Sequence, residues 1–85
     1  MRFTVVWTPE ARNDLAELWL AFPDRKAVQN VADTIDSGLR DDAHLQGREF
    51  FGERLLGVPP LNVTFSVSLE DRLVTIAQVW IASPT

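Results

Sequence analysis

In two consecutive segments of the first half of the chain, apolar residues return every three or four positions. This spacing predicts α-helices over about residues 9–22 and 24–42. Thr8 and Asp24 stand immediately before these segments and are suited to cap the free N–H groups of the first turns. Pro23 lies between the segments and ends the first helix, so the two helices are predicted to form an antiparallel hairpin.

The second half alternates apolar and polar residues, which is the period of a half-buried strand. Four strands are predicted in all, over residues 3–7, 50–56, 61–68 and 73–81. Gly52 interrupts the second of these strands and indicates a bulge. The order β-α-α-β-β-β predicts an α+β fold, in which the helical hairpin packs on one face of a mostly antiparallel four-stranded sheet. Residues 1–85 are expected to form a single domain.

The apolar stripes of these elements also predict the core. Hydrophobic residues make up 46% of the chain, so the core is well supplied. Eight inward-facing side chains are expected to be largely buried: Leu15, Leu18, Val31, Ile35, Val63, Phe65, Val67 and Ile76.

Composition excludes several classes of protein. Eight Lys and Arg against twelve Asp and Glu give a net charge of −4, so the chain lacks the basic field that direct nucleic-acid binding requires. The chain has no cysteine and one histidine, which excludes thiolate and multi-histidine metal sites, and no cofactor is expected. No apolar run approaches the ~18 residues of a membrane span. The expectation is a cytoplasmic protein without membrane contact.

Few side chains are candidates for catalysis. His44 has the residue type of a general acid or base, but it lies beside Asp41 and Asp42 in an acidic loop. Its simpler interpretation is a solvated loop histidine. Arg54 follows Glu53 on a predicted strand, and adjacent strand residues point to opposite faces. Arg54 is suited to contact a phosphate or a carboxylate, or to be a surface cation.

Several short motifs occur in an ordered series along nearly the whole chain. They are WTPEARNDLAELW after the first strand, LQG at residues 45–47, PPLNVTFSV at 59–67, Asp71-Arg72 in a turn, and VTIAQVW at 74–80. In this order and spacing they resemble the RelE/ParE superfamily of bacterial toxins, and most of all its members with a VPPL turn. The resemblance implies a RelE/ParE-like fold and a role in a type II toxin–antitoxin system.

The resemblance also locates the positions where relatives similar to RelE carry the chemistry that cleaves mRNA in the ribosome. Cations there orient the scissile phosphate, and basic or phenolic groups move protons. Aligned from residues 45–47, these positions hold Glu53, Leu55, Asn62 and Ala82 or Ser83. The chain also contains no tyrosine. By the resemblance, this face of the sheet has lost the ribonuclease chemistry.

The resulting prediction is a toxin-family protein that acts by binding a protein, as relatives similar to ParE do toward DNA gyrase, and that has no ribonuclease activity. One alternative is a ribosome-dependent mRNA endonuclease that uses Arg54 and Arg48, with His44 as a further candidate. Another is a non-toxic interaction module or homodimer. The resemblance implies a cognate antitoxin as partner. An apolar strip involving Trp19 or Phe22 is therefore expected to be incompletely covered, and homodimerisation through this strip is the competing expectation.

Overall fold

The computed structural model describes residues 1–81, which form two α-helices, one 3₁₀ turn and five strands. In chain order the elements are β1 (Thr4–Trp7), α1 (Pro9–Ala21), α2 (Arg25–Leu39), the 3₁₀ turn (Ala43–Leu45), β2 (Arg48–Phe50), β3 (Glu53–Val58), β4 (Leu61–Ser68) and β5 (Leu73–Ile81). Neither helix within residues 1–81 is long and apolar enough to cross a membrane.

Both helices begin at the predicted caps. The hydroxyl of Thr8 accepts a hydrogen bond from the backbone N–H of Ala11 at 3.1 Å, and the carboxylate of Asp24 accepts one from Ala27 at 3.0 Å. Each bond satisfies an N–H group that the first turn of a helix leaves without a partner.

The second helix ends at Leu39 and not near Asp42 as predicted. Asp42 has a left-handed backbone conformation with φ 49°. Its N–H group donates to the carbonyl oxygen of Met1 at 2.9 Å. The chain therefore leaves the helix early, because it binds the N-terminal segment instead of continuing the helical hydrogen bonds.

The strands form one sheet in the order β1-β5-β4-β3-β2. Among the strands of residues 1–81, only the β1–β5 pair is parallel, and the other three pairs are antiparallel. The predicted α+β fold with a mostly antiparallel sheet is confirmed. The sheet of residues 1–81 has five strands and not four, because the strand predicted over residues 50–56 is a hairpin of two strands.

The turn of this extra hairpin consists of Phe51 and Gly52. Both have positive φ angles, 49° and 84°, and the flanking residues Phe50 and Glu53 pair across the turn. Positive φ at both central residues is the geometry of the tight two-residue turn that joins antiparallel strands. Gly52 is thus the second residue of a turn, where the sequence had indicated a bulge.

A bulge is found instead in β5, at Ala77. Thr64 pairs with Gln78, but the next residue, Phe65, pairs with Ile76. The extra residue reverses the alternation of β5, so that apolar side chains on both sides of the bulge point toward the helices. One face of β4 and β5 is therefore apolar along its length.

This apolar face carries the helices and is called the helix face; the other side of the sheet is called the open face. Of the eight predicted core residues, four are fully buried: Ile35, Val63, Phe65 and Ile76. The other four are half-buried and pack against the same cluster: Leu15, Leu18, Val31 and Val67. The core lies where it was predicted. The side chains that α1 contributes to it are less fully buried than those of α2.

One polar network joins β1 to α2. The indole N–H of Trp7 donates to Oδ2 of Asp36 at 2.9 Å, and Nε of Arg40 donates to Oδ1 of the same carboxylate at 2.9 Å. The charged partner strengthens both bonds, and together they fix the edge strand against the helix.

Candidate functional site

The open face of β2, β3 and β4 lies where the resemblance places the ribonuclease chemistry. The strand register puts these side chains on it: Arg48, Phe50, Glu53, Leu55, Asn62, Thr64, Ser66 and Ser68. On these three strands the face therefore has one cation, Arg48, and one carboxylate, Glu53. The position near Ala82 or Ser83 lies outside the described residues.

Arg54 lies on the helix face, as the alternation of its strand predicts. It pairs with Phe65 across β3 and β4. Its Nε donates to the carbonyl oxygen of Gln46 at 2.6 Å, and its Nη2 donates to that of Gly47 at 3.1 Å. The guanidinium thus holds the segment that enters β2, and two of its five donor hydrogens are occupied there.

Arg48 and Arg54, the two arginines of the endonuclease alternative, are turned to opposite faces of the sheet. Arg48 is exposed and pairs with Leu55 on the open face. Arg54 pairs with Glu49 on the helix face. Two cations must approach the same phosphate to stabilise its charge together, and the sheet separates these two.

His44 lies in the 3₁₀ turn and is half-buried, with its ring centroid 5.7 Å from that of Phe3. It therefore packs at the edge of the core and is not the fully solvated histidine that its acidic loop suggested. Its Nδ1 is buried and has no hydrogen-bond partner among residues 1–81. The neighbouring Asp42 accepts a hydrogen bond from the amino group of Met1 at 2.9 Å. This bond and the charge of the amino group lower the pKa of Asp42, and His44 adds a smaller lowering.

A cavity of about 350 Å³ lies between the 3₁₀ turn, the β2–β3 hairpin and the β4–β5 turn. Its lining includes His44, Glu49, Glu53, Arg54, Ser66 and Leu69. We call it the hairpin cavity. It brings together two of the three candidate catalytic residues, His44 and Arg54. The sequence alone did not predict it, because the residues come from four elements. No group of three or more metal-ligating side chains occurs within residues 1–81.

A second concave surface lies between the two helices and is called the helix groove. It is lined by Arg12, Leu15, Ala16, Trp19 and Gln29. The side chain of Trp19 is 37% exposed, and the guanidinium carbon of Arg25 lies 4.7 Å from the centroid of the Trp19 ring. The favourable cation–π contact holds the indole in place at the rim.

The apolar strip predicted around Trp19 or Phe22 differs from the prediction at Phe22. Phe22 is half-buried and its N–H group donates to the carbonyl oxygen of Leu18, which ends α1. Leu20, which the sequence analysis did not single out, is 65% exposed. The sequence predicts one apolar face for α1, and Leu20 lies outside it, on a second face of the same helix with Ala16 and Trp19.

No family model and no curated protein matches this sequence significantly. Several solved structures do match the fold. A chain of the RelBE2 toxin–antitoxin complex from Mycobacterium tuberculosis superimposes with a TM-score of 0.80 at 19% identity, over 96% of this chain and 100% of that one. A chain of the chromosomal ParDE toxin–antitoxin system from P. aeruginosa gives 0.77 at 22% identity, over 96% and 98%.

A chain of the intact E. coli RelBE toxin–antitoxin complex is also similar, with a TM-score of 0.64 at 11% identity over 99% of this chain and 100% of that one. These matches extend over nearly the whole of each chain. The protein therefore has the RelE/ParE toxin fold, which the sequence motifs had implied.

Proposed function

We propose that this protein is the toxin-fold member of a toxin–antitoxin pair, that it binds a cognate antitoxin, and that it has no ribonuclease activity. The similar structures are chains of toxin–antitoxin complexes, which supports an antitoxin as partner. The observation that carries the second part is the composition of the open face. By the sequence resemblance, Glu53, Leu55 and Asn62 occupy there the positions at which relatives similar to RelE carry cations.

The missing groups matter because cleavage of a phosphodiester by its 2′-hydroxyl needs several of them at once. A base must take the proton, cations must stabilise the phosphate, and an acid must protonate the leaving oxygen. Each proton-transfer group contributes about 10²–10⁴ in rate, and each preorganised charge contact about 10²–10³. Glu53 also repels the phosphate. The loss of several such groups leaves a negligible rate even if the protein reaches the ribosome.

We expect the purified protein to leave mRNA on programmed ribosomes uncleaved under conditions in which an active RelE-type enzyme cleaves it. Primer extension on the recovered mRNA measures the result. His44→Ala and Arg54→Ala variants test the two candidates in the hairpin cavity, and Arg48→Ala tests the third candidate, which lies on the open face. Specific cleavage that disappears in any of these variants would show that the sheet carries an active site and would contradict the proposal.

The helix groove is the surface that we propose for the antitoxin. It is mostly apolar, it lies between two helices, and it is lined by the exposed Trp19, which is followed in α1 by the exposed Leu20. An amphipathic segment of a partner buries such side chains by placing its own apolar face in the groove. Tryptophan side chains at the centre of an interface often supply much of the binding energy.

We expect Trp19→Ala to weaken binding of the antitoxin by about thirtyfold, which is the effect of removing a central aromatic anchor. The partner for this assay is the protein encoded by the adjacent reading frame, and calorimetry measures the affinity. A second variant in the same helix is Leu20→Ser, and Leu45→Ser is its matched control, because Leu45 is a leucine of similar exposure, 71% against 65%, but lies after α2. Unchanged affinity in Trp19→Ala and Leu20→Ser would place the antitoxin elsewhere. Light scattering on the free protein tests the competing homodimer.

The target that we propose is a protein and not RNA. The net charge of −4 opposes approach to the phosphates of mRNA or ribosomal RNA, and electrostatic repulsion of this kind lowers both the rate and the strength of association. DNA gyrase, the target associated with ParE-like relatives, is the first to assay, by its supercoiling activity in the presence of the purified protein.

A further inference from the structure

The helix groove continues into a second cavity at its base, near β1. The groove has a volume of about 310 Å³ and the second cavity one of about 240 Å³, and both are lined by Arg12, Leu15 and Gln29. On α2 the second cavity extends from Gln29 as far as Asp36. The two cavities therefore form one continuous depression between the helices, and they are offset along it by about one helical turn.

The charges of this depression leave a cation without a partner. Asp36 accepts two hydrogen bonds at 2.9 Å, one of them from an arginine, and Asp33 accepts one from the side-chain amide of Gln29 at 3.0 Å. Arg12 lines both cavities, yet its guanidinium has no carboxylate within 4.0 Å in the described part of the chain. Arg25, stacked on an indole ring at the rim, adds a second cation. The depression is accordingly suited to a carboxylate from another molecule.

Arg12 also lies where its own helix disfavours a cation. It is the fourth residue of α1, and the first turn of a helix carries the positive end of the helix dipole. Glu10, in the same turn, has the charge that this end favours. The side chain of Arg12 is exposed and makes no ion pair within residues 1–81. An arginine that opposes the dipole and makes no ion pair in its own fold indicates a bound acidic group.

The walls of the depression restrict the backbone conformation of an occupant. Both walls are α-helices, whose interior N–H and C=O groups are already bonded within each helix. An extended segment placed between them would bury backbone groups without partners, which is unfavourable. A helical segment satisfies its own backbone groups, and its side chains at positions i and i+4 are one turn apart, as the two cavities are. Helix α1 has 13 residues and is about 20 Å long, so the depression accommodates about three to four turns.

From these observations we propose that the helix groove and its second cavity bind an amphipathic α-helix with large apolar side chains at i and i+4 and an aspartate or glutamate beside them. The apolar side chains fill the two cavities, and the carboxylate binds the guanidinium of Arg12. Arg12 thereby determines specificity, because an apolar lining alone does not distinguish an acidic helix from a basic one. The inference rests on the proposed function, in which the antitoxin supplies the segment that occupies the groove.

Random peptides of about 16 residues, long enough for four helical turns, are displayed on phage and selected on the intact protein. Counter-selection on the Trp19→Ala variant removes the peptides that bind outside the groove. We expect the remaining peptides to carry apolar residues at i and i+4 and at least one acidic residue beside them. A synthetic peptide of the enriched sequence should become helical on binding, as measured by circular dichroism, and fluorescence anisotropy gives its affinity.

Arg12→Glu should weaken binding of this peptide at least about tenfold and reduce its dependence on salt. The variant should retain its fold, because the new carboxylate lies at the end of α1 where the dipole favours a negative charge. Arg48→Glu is the matched control. It makes the same change of charge at an exposed arginine on the open face, and it should leave the affinity within about twofold at physiological salt.

Enrichment of basic or uncharged peptides, apolar residues at i and i+2, failure to enrich any peptide, or an affinity that survives Arg12→Glu would each overturn the inference. The protein encoded by the adjacent reading frame separates this result from the proposed function. If its binding depends on Trp19 and not on Arg12, the antitoxin surface stands and the inference fails. If the selected peptide depends on Arg12 but does not compete with that protein, the groove has the inferred chemistry and the assignment of the antitoxin to it fails.

Discussion

Replacing Phe65 with alanine is expected to lower the free energy of unfolding by about 3–5 kcal/mol. The side chain is fully buried at the centre of β4, on the helix face, beside Ile76 of β5 and among the apolar side chains of the core. Its truncation removes the transfer energy of the ring and leaves a cavity that the sheet cannot close. A small domain has only about 5–15 kcal/mol in total, so the variant should be close to unfolded.

Urea denaturation followed by circular dichroism measures this effect. Ser66→Ala is the matched control, because Ser66 is the next residue of the same strand, is exposed and faces the opposite side of the sheet. It should change the free energy of unfolding by less than about 0.5 kcal/mol. An unchanged urea midpoint for Phe65→Ala would mean that the wrong face of β4 has been assigned to the core.

Replacing Gly47 with alanine should be as damaging, through the backbone and not through the core. Gly47 has φ +69°, and a Cβ at this position would lie 2.3 Å from the carbonyl oxygen of Leu55. Contact at that distance with a backbone atom requires β3 to move, and the left-handed conformation adds its own cost. The carbonyl oxygen of Gly47 also accepts a hydrogen bond from Arg54. We expect a loss of more than about 3 kcal/mol.

Gly52→Ala separates the two causes in the same denaturation assay. Gly52 also has a positive φ, but a Cβ there meets no atom within 4 Å. Its replacement therefore carries the conformational cost alone, about 1 kcal/mol. A similar loss in both variants would show that the approach of Leu55 to Gly47 relaxes without cost, and that the clash in Gly47→Ala is not decisive.

The sequence was sufficient for the elements whose signals are local. The caps at Thr8 and Asp24 lie next to the helices that they begin, and the alternation of β4 is visible in eight consecutive residues. Because neighbouring residues of a strand point to opposite faces, the sequence predicts Glu53 and Arg54 on opposite faces of the sheet, and the structure has them there. These predictions depend on residues that are neighbours in the chain, and period and capping carry that information.

The features that could not be predicted are of two kinds. Some depend on contacts between residues that are far apart in the sequence, and one is a turn that lacks the residues typical of its type. The Phe51–Gly52 turn lacks the asparagine or aspartate that marks such turns, so the segment was interpreted as one interrupted strand. The bond from Trp7 to Asp36 spans 29 residues. The hairpin cavity joins four separate elements, and the two donors of Arg54 are occupied by carbonyl oxygens that any residue would supply.

The parallel pairing of β1 with β5 has a consequence for synthesis of the protein. Strand β1 cannot pair in the sheet until β5 has been synthesised, because β5, residues 73–81, is translated after all the other elements described. Until then the emerging helices have no completed sheet on which to bury their apolar stripes, and contacts of such long sequence separation form slowly. A premature stop before Leu73 would therefore release helices and hairpins without a common core, and proteases would degrade the product as an unfolded chain.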